Sequence, residues 1–389
     1  MPRGRKKAEV KSEEKIVSSK PKKVSNLKHE ECSLRDELEK AVLKDYAHLF
    51  TVMPDRRENL FKVNIPGLNY ILGGGFPRGQ IIHIYGPEGS GKTTLALHIM
   101  ASIQEQGGKV YALDTENSMT STAAEAVGVR YKDVRYLKNM PDGETALDIG
   151  EIAIRANLCD CLVYDSIAAL SPKTVIDDSN KQRHIGNKAL MLSVALEKLN
   201  NATVNSDAVI VFVNQLRANI SKMPNARQWI TAGGKALPYY ANIGILVTRR
   251  GAITEKDKVI GQQVSLKVEK NKIAPPMKEV ICNLIYGQGF RRDLDLIISA
   301  KDAGIIVQKG SWFEYNGESI GQGLEAVSEW AKAHEGFLDE LEEKLYGNKD
   351  KGVAPLGVRD SEDEESKSAE SAGAESHKDS SVDGAGESA

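Results

Sequence analysis

The stretch Gly86-Pro87-Glu88-Gly89-Ser90-Gly91-Lys92-Thr93 constrains this chain more than any other, because it follows G-x-x-x-x-G-K-[ST] in a strand–helix setting. The apolar run Ile81-Ile82-His83-Ile84-Tyr85 before it reads as a buried strand, and Thr94-Leu95-Ala96-Leu97-His98-Ile99-Met100 after it as an amphipathic helix. Glycines at these positions let consecutive backbone N–H groups curl around a polyphosphate, and the helix N-terminus adds partial positive charge. In such a loop Lys92 reaches the β- and γ-phosphates, and the Thr93 hydroxyl ligates Mg²⁺. A nucleoside triphosphate is the expected ligand.

The 389 residues are 41% hydrophobic and 27% charged, enough apolar material for a sizeable core. A net charge of −2 conceals polarised ends. Residues 1–30 carry 10 Lys/Arg against 4 Asp/Glu, and residues 360–389 carry 10 Asp/Glu against 2 Lys. Both ends are poor in large apolar side chains, so disorder is expected for a basic tail over 1–32 and an acidic tail over 348–389. Cys32, Cys159, Cys161 and Cys282 form no C-x-x-C pair, which points to neither a zinc site nor a disulfide framework. No apolar run has the length of a membrane span and no secretory leader is evident, so a cytoplasmic location and no membrane partner are expected.

Between the tails the pattern changes twice. Residues 33–50 space Leu34, Leu38, Val42 and Leu49 at mostly helical intervals, giving a helix with one apolar face. From about residue 61 to 288, strands alternate with helices. Strands are expected over 81–85, 110–113, 161–164, 208–213, 243–249 and 264–269, and helices over 94–106, 145–157 and 186–200. Continuously apolar strands separated by helices imply an α/β fold with a mostly parallel sheet covered on both faces. The strands from Ile243 onward are joined by turns and predict an antiparallel extension. Residues 289–347 read as a small α+β unit with Trp312, Phe313, Tyr315 and Trp330 as its core.

A phosphate loop of this kind needs a second acidic group near Mg²⁺ and a residue that orients water. Leu162-Val163-Tyr164-Asp165-Ser166, an apolar strand ending in Asp, supplies the first through Asp165. Glu116 and Glu88 are candidates for the second. Strand C-termini converge on the ligand crevice of open parallel sheets, which favours Glu116 and leaves Asp114 structural. Asn214 and Gln215, after the next strand, place two amides where a γ-phosphate would lie.

These residues in this order resemble the bacterial RecA recombinase family, over roughly residues 37–347. The resemblance rests on Gly86-Pro87-Glu88-Gly89-Ser90-Gly91-Lys92-Thr93-Thr94, Asp114-Thr115-Glu116, Tyr164-Asp165-Ser166, Phe212-Val213-Asn214-Gln215-Leu216-Arg217, Gly233-Gly234-Lys235-Ala236-Leu237 and Lys270-Asn271-Lys272-Ile273-Ala274. It implies a RecA-type ATPase core that uses ATP and Mg²⁺. Its protomers form a helical filament on single-stranded DNA, pair that strand with double-stranded DNA and exchange strands in repair. It further implies catalytic roles for Glu116, Lys92, Gln215, Lys270 and Lys272, the two lysines reaching a neighbour's ATP. The 33–50 helix would dock on the next protomer. Two segments map onto DNA-binding loops, 177–185 with His184, and 216–231 with Arg217, Lys222, Arg227 and Trp229. Cations there neutralise phosphates while an apolar side chain wedges between bases.

The chain is divergent. Ala123 and Thr120 stand where the family holds adenine, Pro238 and Gly244 replace a lysine and an arginine, and Leu190 and Glu197 replace arginines. A DNA-coating protein or a helicase-like ring on the same core are the competing readings. An intact Glu116 argues against the first, and Lys270 with Lys272 against the second.

Overall fold

In the computed structural model the described residues are Lys40, Lys44, 59–177, 186–204, 206–218, 229–255, 257–347 and 358–360. Two compact units divide the chain, Met1–Asp55 and Arg56–Ala389. In the first, Lys40 and Lys44 are helical and exposed. The remainder of the expected 33–50 helix and the basic tail lie outside the described residues, as does the acidic tail apart from three residues.

The second unit opens with β1 (Leu60–Phe61) and β2 (Phe76–Pro77), an antiparallel pair. Its main sheet is drawn from β3 (Ile81–Gly86), β4 (Val110–Asp114), β5 (Arg135–Leu137), β6 (Cys161–Asp165) and β7 (Val209–Ala218). It continues with β8 (Trp229–Thr231), β9 (Ile243–Glu255), β10 (Lys258–Asn271), β11 (Lys278–Ile285) and β12 (Gly289–Phe290). The order along the sheet is β12-β11-β10-β9-β3-β7-β6-β4-β5. Pairing from β9 through β3, β7, β6 and β4 to β5 is parallel, and from β9 to β12 antiparallel.

Strand side chains alternate between faces, and both faces here are apolar. Cys161, Val163, Val209 and Val211 pack on one side with Leu95, Ile99 and Ile103 of the helix Lys92–Glu105. Leu162, Tyr164, Ile210 and Phe212 pack on the other with Leu147 and Ile154 of the helix Gly143–Arg155 and with Leu192, Leu196 and Leu199 of the helix Asn187–Thr203. Each such side chain taken out of water contributes about 1.5–3 kcal/mol. Cys159, Cys161 and Cys282 are buried and free, as expected of core thiols. His98 ties the Lys92–Glu105 helix to β12: its ring accepts a bond from Phe290 N at 3.0 Å, and burial pushes it down to about 4.

A separate sheet of β13 (Ile306–Lys309), β14 (Trp312–Tyr315) and β15 (Glu318–Gln322) packs with the helices Arg292–Asp302, Leu324–Ala333 and Phe337–Glu342. Phe313 and Tyr315 are buried there, and Trp330 is partly so. Trp312, expected in this core, is 50% exposed. A strand with Phe313 inward must turn Trp312 outward. Within the stretch expected to lack structure, β16 (Val358–Asp360) adds to β11 in antiparallel register.

Three strands run longer than their apolar cores predict. Strand β7 continues to Ala218 because β8 pairs with it, Leu216 opposite Thr231 and Ala218 opposite Trp229. Arg217 and Trp229 therefore sit in a ladder rather than in open loop. Strands β9 and β10 extend into a ribbon whose outer residues are mostly exposed, with pairs from Lys258↔Glu255 inward.

Gly150 marks a close helix–sheet approach. A Cβ there would lie 1.9 Å from Tyr164 Oη and 2.8 Å from Leu162 Cδ2. The Tyr164 ring is buried and donates its hydroxyl to Ala146 O at 3.3 Å, so it has no room to retreat. Gly150→Ala should lower stability by about 1–3 kcal/mol through overpacking, outweighing the roughly 1 kcal/mol that alanine adds to a helix. Urea midpoints will check this, and the same change in a Tyr164→Phe background should recover part of the loss.

Candidate nucleotide site

Parallel pairing brings four strand ends to one edge of the sheet. Gly86 lies opposite Gln215, Tyr85 opposite Asn214, and Asp114 opposite Asp165. Gly86 must lack a side chain, since a Cβ would sit 2.0 Å from Val247 O. The chain then turns outward through exposed Pro87, Glu88 and Gly89 before Ser90 goes inside. Gly91, at φ +98°, caps the helix that begins with Lys92 and continues through Thr93 and Thr94.

Lys92 is buried and donates to Pro87 O at 2.6 Å. Burial lowers its pKa, opposed by the carboxylates of Asp165, Glu116 and Glu88. Thr93 Oγ1 donates to Asp165 Oδ2 at 2.6 Å, and Ser118 Oγ donates to the same oxygen at 3.1 Å. Burial raises the Asp165 pKa, those two hydroxyls oppose it, and Glu116 and Asp114 add to it. Two oxygen donors converging beside a lysine suit a hard cation such as Mg²⁺. The Ser90 hydroxyl is buried without a hydrogen-bond partner, which fits a loop whose complement is a ligand.

Glu116 leaves the end of β4 and accepts from Ser166 Oγ and, at 2.9 Å, from Gln215 Nε2. Glu88, its rival, is exposed on the loop. Asn214 does not join Gln215 at this edge. It is fully buried, donates to Ala232 O at 2.9 Å and accepts from Gln215 N at 2.9 Å, so it braces the backbone. Asp114 is structural, as expected: it accepts from Glu116 N, Ser118 N, Met119 N and the Tyr136 hydroxyl.

Lys270 and Lys272 are not brought to this edge. Lys270 pairs in register with Gly244, which lies beside His83, three residues before Gly86 and so about 10 Å down the sheet. Its ammonium donates to Pro238 O at 2.7 Å and Tyr239 O at 2.8 Å, and burial followed by Lys272 lowers its pKa. Lys222, Arg227 and His184 lie outside the described residues, as do the side chains of Arg217 and Trp229.

Three contributors escaped the sequence reading. Ser166 follows the strand-end Asp and holds Glu116, a role its position after Asp165 hinted at. Gln262 and Tyr286 come from β10 and the end of β11. With Gly89, Gly91, Lys92, Thr93, Thr94 and Leu284 they line a cleft of about 270 Å³, where Gln262 Nε2 holds Gly89 O at 2.9 Å. No local pattern announces residues that reach the loop from so far along the chain. Thr120 and Ala123 are occupied elsewhere: Thr120 Oγ1 caps the helix Ser121–Ala126 by accepting from Ala123 N at 3.1 Å.

A phosphate loop closing a parallel sheet, with a hydroxyl–aspartate pair and a glutamate at adjacent strand ends, defines a P-loop nucleotide-binding protein. The RecA N-terminal domain family matches residues 59–291, and the RecA C-terminal domain family matches 295–348. Protein RecA of Syntrophobacter fumaroxidans is 41% identical over 280 residues, covering 72% of this chain and 81% of the relative. Protein RecA 2 of Myxococcus xanthus is 42% identical over 280 residues, covering 72% and 77%. Protein RecA of Geobacter metallireducens is 42% identical over 281 residues, covering 72% and 82%. The chain belongs to the RecA family of recombination and DNA-repair proteins. That family is one of DNA-dependent ATPases. Among the described residues, no helix is long and apolar enough to cross a membrane.

Burial, the hydrogen bond to Asp114, and the charges of Asp114 and Asp165 together push the Tyr136 hydroxyl up to about 12. In Asp114→Asn one acceptor oxygen becomes a donor, the 116–119 turn loses its anchor, and Tyr136 should titrate nearer 10, its ordinary value. Tyrosine ring-carbon NMR across a pH series, with Tyr136→Phe to assign the signal, reads this directly. An unchanged Tyr136 titration would mean that Asp114 does not govern it.

Proposed function

We propose that this chain is a DNA-dependent ATPase that assembles as a filament on single-stranded DNA and couples ATP hydrolysis to strand exchange with double-stranded DNA. The observation that carries this reading is the node at Glu116, where Ser166 and Gln215 converge on one carboxylate oxygen beside the Thr93–Asp165 pair. In this reading the loop from Gly86 to Thr94 wraps the phosphates, and Lys92 lies against the terminal ones. Mg²⁺, held through Thr93 and Asp165, supplies charge neutralisation on the phosphate oxygens. Glu116 orients water and accepts its proton. Gln215 holds Glu116 when no phosphate competes for its amide, and it is two residues from Arg217 on the same strand. Nucleotide state thereby reaches the segment carrying Arg217, Lys222, Arg227 and Trp229, with His184 on the other DNA loop.

Lys270 and Lys272 lie too far down their own sheet to serve the phosphates of the same chain, which favours service to a neighbour's and a filament over a monomeric enzyme. Buried thiols suit a reducing cytoplasm.

Glu116→Gln should bind ATP and DNA normally while hydrolysing at least about 10²-fold more slowly, the usual cost of losing a positioned base. Steady-state phosphate release with a parallel nucleotide-binding titration separates the two effects. Wild-type turnover would transfer the role to Glu88.

A protein carrying Lys270→Ala and Lys272→Ala should poison wild type when mixed in excess, because each mutant protomer leaves a neighbour's site incomplete. DNA-stimulated ATPase activity measured against mixing ratio should fall below the additive line. Strict additivity would confine both lysines to their own chain.

A further inference from the structure

The phosphate loop leaves the parallel half of the sheet and is met from the side by the antiparallel half. Gly91 rests on β11 and β12: a Cβ there would lie 2.8 Å from Leu284 Cδ1 and 3.7 Å from Phe290 Cζ. Gln262 on β10 stands directly opposite Leu284 in the β10–β11 register, so both side chains leave the sheet on the face that meets the loop. Leu284 supports Gly91, while Gln262, only 4% exposed, donates its Nε2 to Gly89 O at 2.9 Å.

The loop does not fix the Gly89–Ser90 peptide by its own sterics. Pro87, Glu88 and Gly89 are exposed, Gly89 has φ +68°, and a Cβ there would meet nothing within 4 Å. A glycine in such open surroundings reorients its peptide planes at little cost. Orientation matters, because a loop that holds an anion must present N–H groups to it and keep carbonyls aside. In a planar trans peptide the C=O and N–H point in opposite directions, so a bond that draws Gly89 O toward β10 also turns Ser90 N–H away from β10. A second side-chain anchor, Lys92 Nζ on Pro87 O at 2.6 Å, uses the ammonium that a phosphate would claim.

We propose that Gln262 is a positioning residue for the nucleotide: held by its amide, the Gly89–Ser90 peptide is set for a phosphate before one arrives. The inference rests on the reading that the loop from Gly86 to Thr94 wraps the phosphates. Gln262 is uncharged and comes from outside the loop, so its hold on Gly89 survives when Lys92 turns from Pro87 O to the ligand. The loop is then fixed at Gly91 by packing and at Gly89 by one hydrogen bond, both supplied by the antiparallel strands.

Calorimetric titration of the full chain with ADP and, separately, with inorganic pyrophosphate tests this, both in the presence of Mg²⁺. Gln262→Leu removes the donor at similar size and should weaken both ligands by the same factor, about 3–10-fold, the worth of one hydrogen bond. Pyrophosphate has neither base nor sugar, so an equal loss places the effect at the phosphate loop. Gln262→Glu is a donor only when its new carboxyl is protonated. Its ADP affinity relative to wild type should therefore recover as pH falls from 7 toward 5. Melting of the ligand-free proteins controls for misfolding, and if Gln262→Leu melts below wild type the acid recovery of Gln262→Glu decides alone. Wild-type affinity in Gln262→Leu, a loss for ADP without one for pyrophosphate, or no acid recovery would overturn the proposal. Failure of wild type itself to bind either ligand would instead sink the reading of the loop as a phosphate site.

Discussion

The Asp165 carboxylate is the point on which the site depends. It is buried at the end of the interior strand β6, and one of its oxygens accepts from both Thr93 and Ser118. Those hydroxyls come from the phosphate-loop helix and from the turn after β4, so a single oxygen fixes three strand ends against one another. A buried carboxylate is costly unless hydrogen bonds and cations repay its lost hydration. Here the hydroxyls and the nearby Lys92 ammonium do so in part, and the two opposing desolvated charges hold the edge in a narrow geometry. The turn after β4 is fixed in the same way by Asp114, whose two oxygens take three backbone N–H groups and the Tyr136 hydroxyl.

The sheet that carries these groups has two halves with different work. From β9 to β5 the strands run parallel and send their C-terminal ends to the phosphate edge. From β10 to β12 they run antiparallel and turn back, so that Gln262 and Tyr286 wall the same cleft from the side while Lys270 ends up at the far end of the sheet. One protomer thus carries a nearly complete site at one end of its strands and a pair of cations at the other.

Much of this was legible in the sequence because the informative residues sit next to their signals. Lys92 and Thr93 follow glycines, and Asp165 and Glu116 follow apolar strands, so a local pattern locates them. Burial on both faces made β3, β6 and β7 recognisable as continuous apolar runs. What escaped has the opposite character. Asn214 looked like Gln215's partner, but period-two alternation turns neighbouring strand residues to opposite faces, and Asn214 points into the backbone brace. The same alternation expelled Trp312 from a core that holds Phe313. Ribbon strands such as the outer parts of β9 and β10, with little buried surface, leave no apolar signature. Gln262 and Tyr286 reach the loop through sheet pairing across more than a hundred and fifty residues of sequence, a distance at which no pattern operates.

The hydrogen bond between His98 and Phe290 also links the fold to protons. The ring must be neutral at Nε2 to accept, and burial holds its pKa at about 4 against 6.5 for the free side chain. Above pH 6.5 folded and unfolded chains carry the same charge at this position. As pH falls from 6.5 toward 4 only the unfolded chain takes up the proton, so folding free energy drains away, on the order of 3 kcal/mol from this one ring. His83, buried beneath Tyr85 and pushed down to about 3, acts in the same sense over a wider interval. The tie that secures the phosphate-loop helix to β12 therefore makes mild acid a selective solvent for the unfolded chain.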